Sequence, residues 1–85
     1  MSKVMIYTTS YCRYCHAAKA FLNSKGVKYR EIDITQDHKE KRKVMEEFGW
    51  KTVPIILINE RFIGGYDDLR ALERENKLDE LLKSS

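Results

Sequence analysis

At 85 residues, with 16 basic and 13 acidic side chains, a net charge of +3 and 42% hydrophobic content, the chain fits one domain, residues 1–85, with a small core. The charge excess is mild and mixed in sign, which argues against nucleic acid as the partner and suits a small anionic substrate. No apolar run approaches the roughly 20 residues that cross a bilayer, so no membrane partner is expected.

Met1-Ser2-Lys3 leads straight into a strand pattern, with no signal sequence visible, which places the protein in the reducing cytoplasm. Lys3 to Thr8 reads as a strand buried on both faces, because Val4, Met5, Ile6 and Tyr7 are continuously apolar. After the loop Thr8-Thr9-Ser10-Tyr11, a helix runs from about Arg13 to Lys25 with Ala17, Ala18, Phe21 and Leu22 on one face, and Gly26 ends it. Val27 to Ile34 alternates and predicts a strand near an edge. Asp37 with Glu40 three positions on predicts a capped helix to Phe48, striped by Val44, Met45 and Phe48 and stopped by Gly49. Trp50, in the loop that follows, is expected to cover the edge of the core. Ile55-Ile56-Leu57-Ile58 reads as a fully buried strand, and Asn59-Glu60 as a tight turn into Arg61-Phe62-Ile63. Asp67 or Asp68 is expected to cap a helix carrying Leu69 and Leu72, and a last helical piece holds Leu78, Leu81 and Leu82. This order predicts an α/β fold: a mixed four-stranded sheet flanked by helices on both faces, with parallel pairing in the first half and a hairpin in the second.

The chemistry concentrates at Cys12-Arg13-Tyr14-Cys15, which holds the only two cysteines. At a helix N-terminus this spacing puts one sulfur at the exposed tip and the other one turn in. Unpaired backbone N–H groups and the helix dipole favour negative charge on the tip sulfur. The thiolate is the nucleophile of disulfide exchange, and a second thiol within reach resolves the mixed disulfide. Cys12 is therefore the candidate nucleophile and Cys15 the resolving thiol. Zinc is the competing use of paired cysteines, but it wants four N/S ligands. Only His16 and His38 could supply the others, and His16 points elsewhere on the helix, so no metal site is expected.

Three motifs stand in order: Cys12-Arg13-Tyr14-Cys15, Thr52-Val53-Pro54 and Gly64-Gly65-Tyr66-Asp67-Asp68. Together, and over nearly the whole chain, they resemble the glutaredoxins, members of the thioredoxin-fold superfamily. The resemblance implies a thioredoxin-like fold and a dithiol enzyme that reduces protein disulfides and glutathione mixed disulfides. It implies a monomer that takes glutathione as co-substrate, holds no tightly bound cofactor, and has disulfide-containing or glutathionylated proteins as partners. It also implies a cis Val53–Pro54 bond facing the cysteines, with the Val53 backbone groups pairing with the cysteinyl unit of glutathione. Gly65, Asp67 and Asp68 would then hold the γ-glutamyl end, backbone N–H to its carboxylate and side chain to its ammonium. Lys41, with Arg42 as second choice, would reach the glycine carboxylate, while Arg13, Tyr14, Thr52 and Pro54 complete the glutathione set. Two positions depart from the family pattern. Arg13 stands where proline is usual and adds a fixed positive charge beside Cys12, and Thr9 stands where many relatives carry lysine. The alternatives are an NrdH-like redoxin reduced by thioredoxin reductase, and a glutaredoxin that carries a 2Fe–2S cluster.

Overall fold

The computed structural model describes residues 3–83. Strand β1 (Val4–Thr8) is followed by helix α1 (Arg13–Ser24), strand β2 (Arg30–Asp33), helix α2 (His38–Phe48), the hairpin β3 (Ile55–Ile58) and β4 (Arg61–Gly64), and helices α3 (Tyr66–Arg74) and α4 (Leu78–Lys83). The sheet order is β2-β1-β3-β4. β1 runs parallel to β2, and antiparallel pairing joins β1 to β3 and β3 to β4.

The sheet divides the core in two, and the period of two along β3 decides which residue serves which side. Ile56 and Ile58 join Val4, Ile6, Ala18, Leu22, Leu69 and Leu78 beneath α1, α3 and α4. Ile55 and Leu57 face the other way with Val44 of α2, backed by Met45, Phe48, Trp50 and Phe62. On that side Phe48 stacks on Phe62 at 5.0 Å between centroids, and Trp50 meets Phe62 edge-on at 5.3 Å. Helices therefore cover both faces, and all four residues of β3 are buried.

Three helices stop in the same way. Gly26, Gly49 and Asn76 take φ values of +70°, +61° and +59°, and the residue after each donates back into the last turn: Val27 to Leu22 O at 3.0 Å, Trp50 to Met45 O at 3.0 Å, Lys77 to Leu72 O at 2.9 Å. This shortens the second strand relative to its alternating pattern. Val27 N–H is committed to closing α1, so regular pairing begins only at Arg30. β2 is an edge strand, as the alternation suggests.

The hairpin turn places both central residues at positive φ, Asn59 at +52° and Glu60 at +69°, the geometry of a two-residue type I′ turn. Asn59 also ties the residue before β1 to α4. Its N–H donates to Lys3 O at 2.8 Å, its Oδ1 accepts from Lys3 N at 2.9 Å and its Nδ2 donates to Leu81 O at 3.0 Å. Glutamate has no local use for a left-handed backbone, which costs about 1–2 kcal/mol for an ordinary side chain. Glu60→Gly is expected to stabilise the fold by roughly 0.5–1 kcal/mol after the entropy cost of glycine. Thermal unfolding should register that as a rise of roughly 2–8 °C in Tm.

In β4 the register passes from Leu57↔Phe62 to Ile56↔Gly64, leaving Ile63 as a bulge. Gly64 then takes φ +124°. The third helix starts differently from the sequence expectation: neither Asp67 nor Asp68 is its N-cap. Gly65 occupies that position, and Asp68 reaches back from the third helical position to accept Gly65 N–H at 3.0 Å. Asp68 thus supplies the reaching-back half of a capping box, which commits its carboxylate to the third helical position and not to the cap.

Candidate functional site

Cys12 is the N-cap of α1. Its backbone is extended at φ −92°, ψ 112°, and its Sγ accepts the N–H of Cys15 at 3.0 Å. A helix start leaves its first N–H groups without backbone partners, and here one of them points at the sulfur. The same Sγ lies 3.5 Å from Val53 O, to which the thiol donates. Cys12 is partly exposed; Cys15, one turn in, is fully buried. Burial first, and then the side-chain hydrogen bond with Cys12, push the Cys15 thiol from 9.0 up to about 12. At neutral pH Cys15 keeps its proton, so attack on a substrate falls to Cys12 by exposure as well as by position.

Beside the cysteines lies a groove of about 330 Å³ lined by Tyr14, Trp50, Thr52, Val53, Pro54, Gly65, Tyr66, Asp67 and Asp68. The Val53–Pro54 peptide bond is cis, as the sequence reading anticipated. Across the groove Gly65 comes close to this segment: a Cβ placed on it would lie 3.6 Å from Pro54 O and 3.8 Å from the Trp50 ring. Asp67 and Asp68 are both exposed, and Asp68 is anchored by accepting Gly65 N–H. The groove thus offers backbone groups at Val53 and a helix start at Gly65, the elements suited to a peptide with a carboxylate end.

Seven of the sequence-predicted residues line this groove: Tyr14, Thr52, Val53, Pro54, Gly65, Asp67 and Asp68. Arg13 and Lys41 do not. Arg13 is exposed on the first turn of α1, and Lys41 is half-buried on α2. Arg42 is exposed on the same helix. Thr9 is buried and its hydroxyl has no hydrogen-bond partner, so its side chain packs inward instead of reaching the groove. His16 sits on the exposed side of α1 with Nε2 3.2 Å from Ser10 O. Among the described residues no group of three or more His, Cys, Asp or Glu side chains is arranged to hold a metal.

Two wall residues, Trp50 and Tyr66, lie outside the glutathione set that the sequence suggests. Tyr66 faces Tyr14 with ring centroids 6.1 Å apart, and its hydroxyl accepts from Arg70 Nη1 at 3.0 Å. The Arg70 guanidinium in turn lies 4.7 Å from the centre of the Phe21 ring. The signal for Tyr66 was present, as an aromatic residue directly after two glycines at a helix start. Trp50 covers the core edge as expected, but its other side closes the groove.

The glutaredoxin family model matches residues 4–63 of the chain. Glutaredoxin 3 of Escherichia coli strain K12 is 46% identical over 83 residues, covering 98% of this chain and all of the relative. The glutaredoxin of Pseudomonas aeruginosa is 45% identical over 84 residues, covering 99% of this chain and all of that one. Among solved structures, the solution structure of glutaredoxin from Brucella melitensis is 45% identical with a TM-score of 0.86, covering 96% of this chain and 89% of the other. The buckwheat glutaredoxin–glutathione complex superposes with a TM-score of 0.89 at 26% identity, over 96% of this chain and 77% of that one.

Proposed function

The chain belongs to the glutaredoxin family and is a glutathione-dependent thiol–disulfide oxidoreductase, and on that premise we propose how its own residues carry the reaction. Cys12 attacks a glutathione mixed disulfide at the glutathionyl sulfur. The N–H of Cys15, 3.0 Å from Sγ, stabilises negative charge on that sulfur before attack and when it leaves again. The tripeptide lies in the groove: its cysteinyl unit pairs with the Val53 backbone, and its γ-glutamyl carboxylate meets the start of α3. Asp67 takes the ammonium, while Asp68 holds Gly65 in place. A second glutathione then attacks the glutathionyl sulfur on Cys12 and releases oxidised glutathione. With protein disulfides Cys12 bonds to the substrate instead, and Cys15 closes on Cys12 to free it. The protein acts as a monomer in a reducing, cytoplasmic setting, where free paired thiols serve catalysis more often than structure.

The observation that carries this reading is the pairing of a partly exposed Cys12 with a buried Cys15 beside the groove of Val53, Pro54 and Gly65. Coupled assays test it. Turnover of a small glutathione mixed disulfide is expected with glutathione, glutathione reductase and NADPH, and not with thioredoxin reductase and NADPH. Reduction by thioredoxin reductase alone would instead make this a redoxin of the NrdH kind.

A further inference from the structure

Around Cys12 the surface differs from the rest of the molecule. Tyr11 and Tyr14 are the large hydrophobic side chains left exposed among the described residues, at 72% and 55% of their area. In the chain they bracket Cys12 and Arg13. Isolated exposed aromatics are ordinary, but exposed tyrosines and an arginine consecutive in the chain with one reactive cysteine match the composition of protein-docking surfaces. Tyr14 also faces Tyr66 in the groove wall, whereas Tyr11 and Arg13 lie outside the groove.

The charge on Arg13 is uncommitted. Of the other cations on or next to α1, Lys19 pairs with Glu31, and Lys25 pairs with Glu73 and Asp79. Arg13 has no carboxylate partner among the described residues, and the first turn of α1 carries no acid. Asp33 and Asp37, which border the hollow beside Ser10, are engaged: Asp33 accepts from Thr35 N–H at 2.8 Å and Asp37 caps α2 through Glu40 N–H at 3.0 Å.

A glutathionylated protein has two halves. The groove takes the tripeptide and is too small for the polypeptide bonded to it. As Cys12 Sγ bonds to the glutathionyl sulfur, the substrate's own S–S bond breaks. The protein cysteine leaves as a thiolate with the bonding pair and takes a proton from water. Through that step the polypeptide must lie against side chains next to Cys12 and outside the groove, and those are Tyr11 and Arg13.

We propose that Tyr11, Arg13 and the outer side of Tyr14 form the docking rim for the polypeptide half of a glutathionylated substrate, and that Arg13 selects substrates with an acidic residue beside the modified cysteine. This rests on the glutathione-dependent reading above.

Two glutathionylated peptides that differ only in the residue flanking the cysteine, glutamate or lysine, provide the test. The readout is the ratio of their kcat/KM values in the glutathione-coupled assay. The native protein is expected to favour the acidic peptide by about threefold to tenfold, the scale of one or two exposed charge interactions. Arg13→Gln brings the ratio to about one, Arg13→Glu inverts it, and added salt moves the native ratio toward one. Tyr11→Ser lowers both values alike and leaves the ratio in place. Each ratio is taken within a single variant, so a general loss of activity cancels. A native ratio near one, or a ratio indifferent to residue 13, overturns the selection while the turnover itself upholds the glutathione reading. No turnover of either peptide defeats that reading and the proposal with it. A concentration-dependent dimer dissolved by Tyr11→Ser assigns the rim to a second copy of the chain and also overturns the proposal.

Discussion

Cys12→Ser is expected to lower glutathione-dependent turnover by about three orders of magnitude or more, the scale on which enzymes lose rate with their nucleophile. Cys15→Ser should leave deglutathionylation of a small mixed disulfide within roughly tenfold of the native rate, because a second glutathione can do the resolving. Reduction of protein disulfides should suffer far more, since only Cys15 is positioned one turn from the sulfur that must be freed. Full activity in the Cys12→Ser protein would remove the assignment of the nucleophile. The high value of Cys15, about 12, adds a pH signature. Closure onto Cys12 requires the Cys15 thiolate, so the rate of intramolecular disulfide formation should climb about tenfold per pH unit from pH 6 to 9 without a plateau. The sign for stability is opposite. Below pH 9 the thiol is protonated in both the folded and the unfolded chain. Between 9.0 and about 12 the unfolded chain ionises there while the folded one does not, so the reduced protein loses stability as pH rises through that window. Denaturant titrations of native and Cys15→Ser protein at pH 7, 9 and 10.5 would expose the difference, which should narrow toward the alkaline end.

Gly64→Ala should be the most damaging conservative change in the hairpin. The backbone there is at φ +124°, which side chains rarely adopt, and a Cβ would collide with the carboxylate of Asp68. Strain of this kind costs of order 1–3 kcal/mol alone, and the displaced carboxylate leaves Gly65 N–H without its acceptor. A total of roughly 2–4 kcal/mol is expected, and Tm should fall by about 10–20 °C. The KM for glutathione should rise as well, because the segment that moves is a wall of the groove. Gly26→Ala is the control: φ is +70° but nothing lies within 4 Å of the added carbon, so its cost should stay near 1 kcal/mol. Equal losses from the two substitutions would show that backbone conformation alone is responsible and that the contact with Asp68 is irrelevant.

What the sequence disclosed follows from how local each cause is. The continuous apolar run of β3, the paired cysteines at a helix start and the glycines that stop α1 and α2 are local features, and all three appear where their residues predict. The alternation from Val27 overstated β2, because alternation cannot show that Val27 N–H is already taken by the end of α1. The start of α3 is set by a reciprocal contact that a lone Asp does not reveal: Gly65 is the N-cap, and Asp68 accepts its N–H from the third helical position. Asn76 stops α3 as glycine stops the other two, yet asparagine is a weaker local signal. The groove divides in the same way. Residues inside recognisable motifs line it, whereas Trp50 and Tyr66 were legible as core and turn and became walls only once the sheet brought them opposite Tyr14 and Pro54. Lys41 and Arg13 were placed by motif position, and neither is among the lining side chains.

The amide of Asn59 has a mechanical corollary. It bonds Lys3 on one side and Leu81 on the other, so the first strand, the hairpin and the last helix meet at a single residue. Loss of this one amide would therefore release the start of β1 and the last helix together.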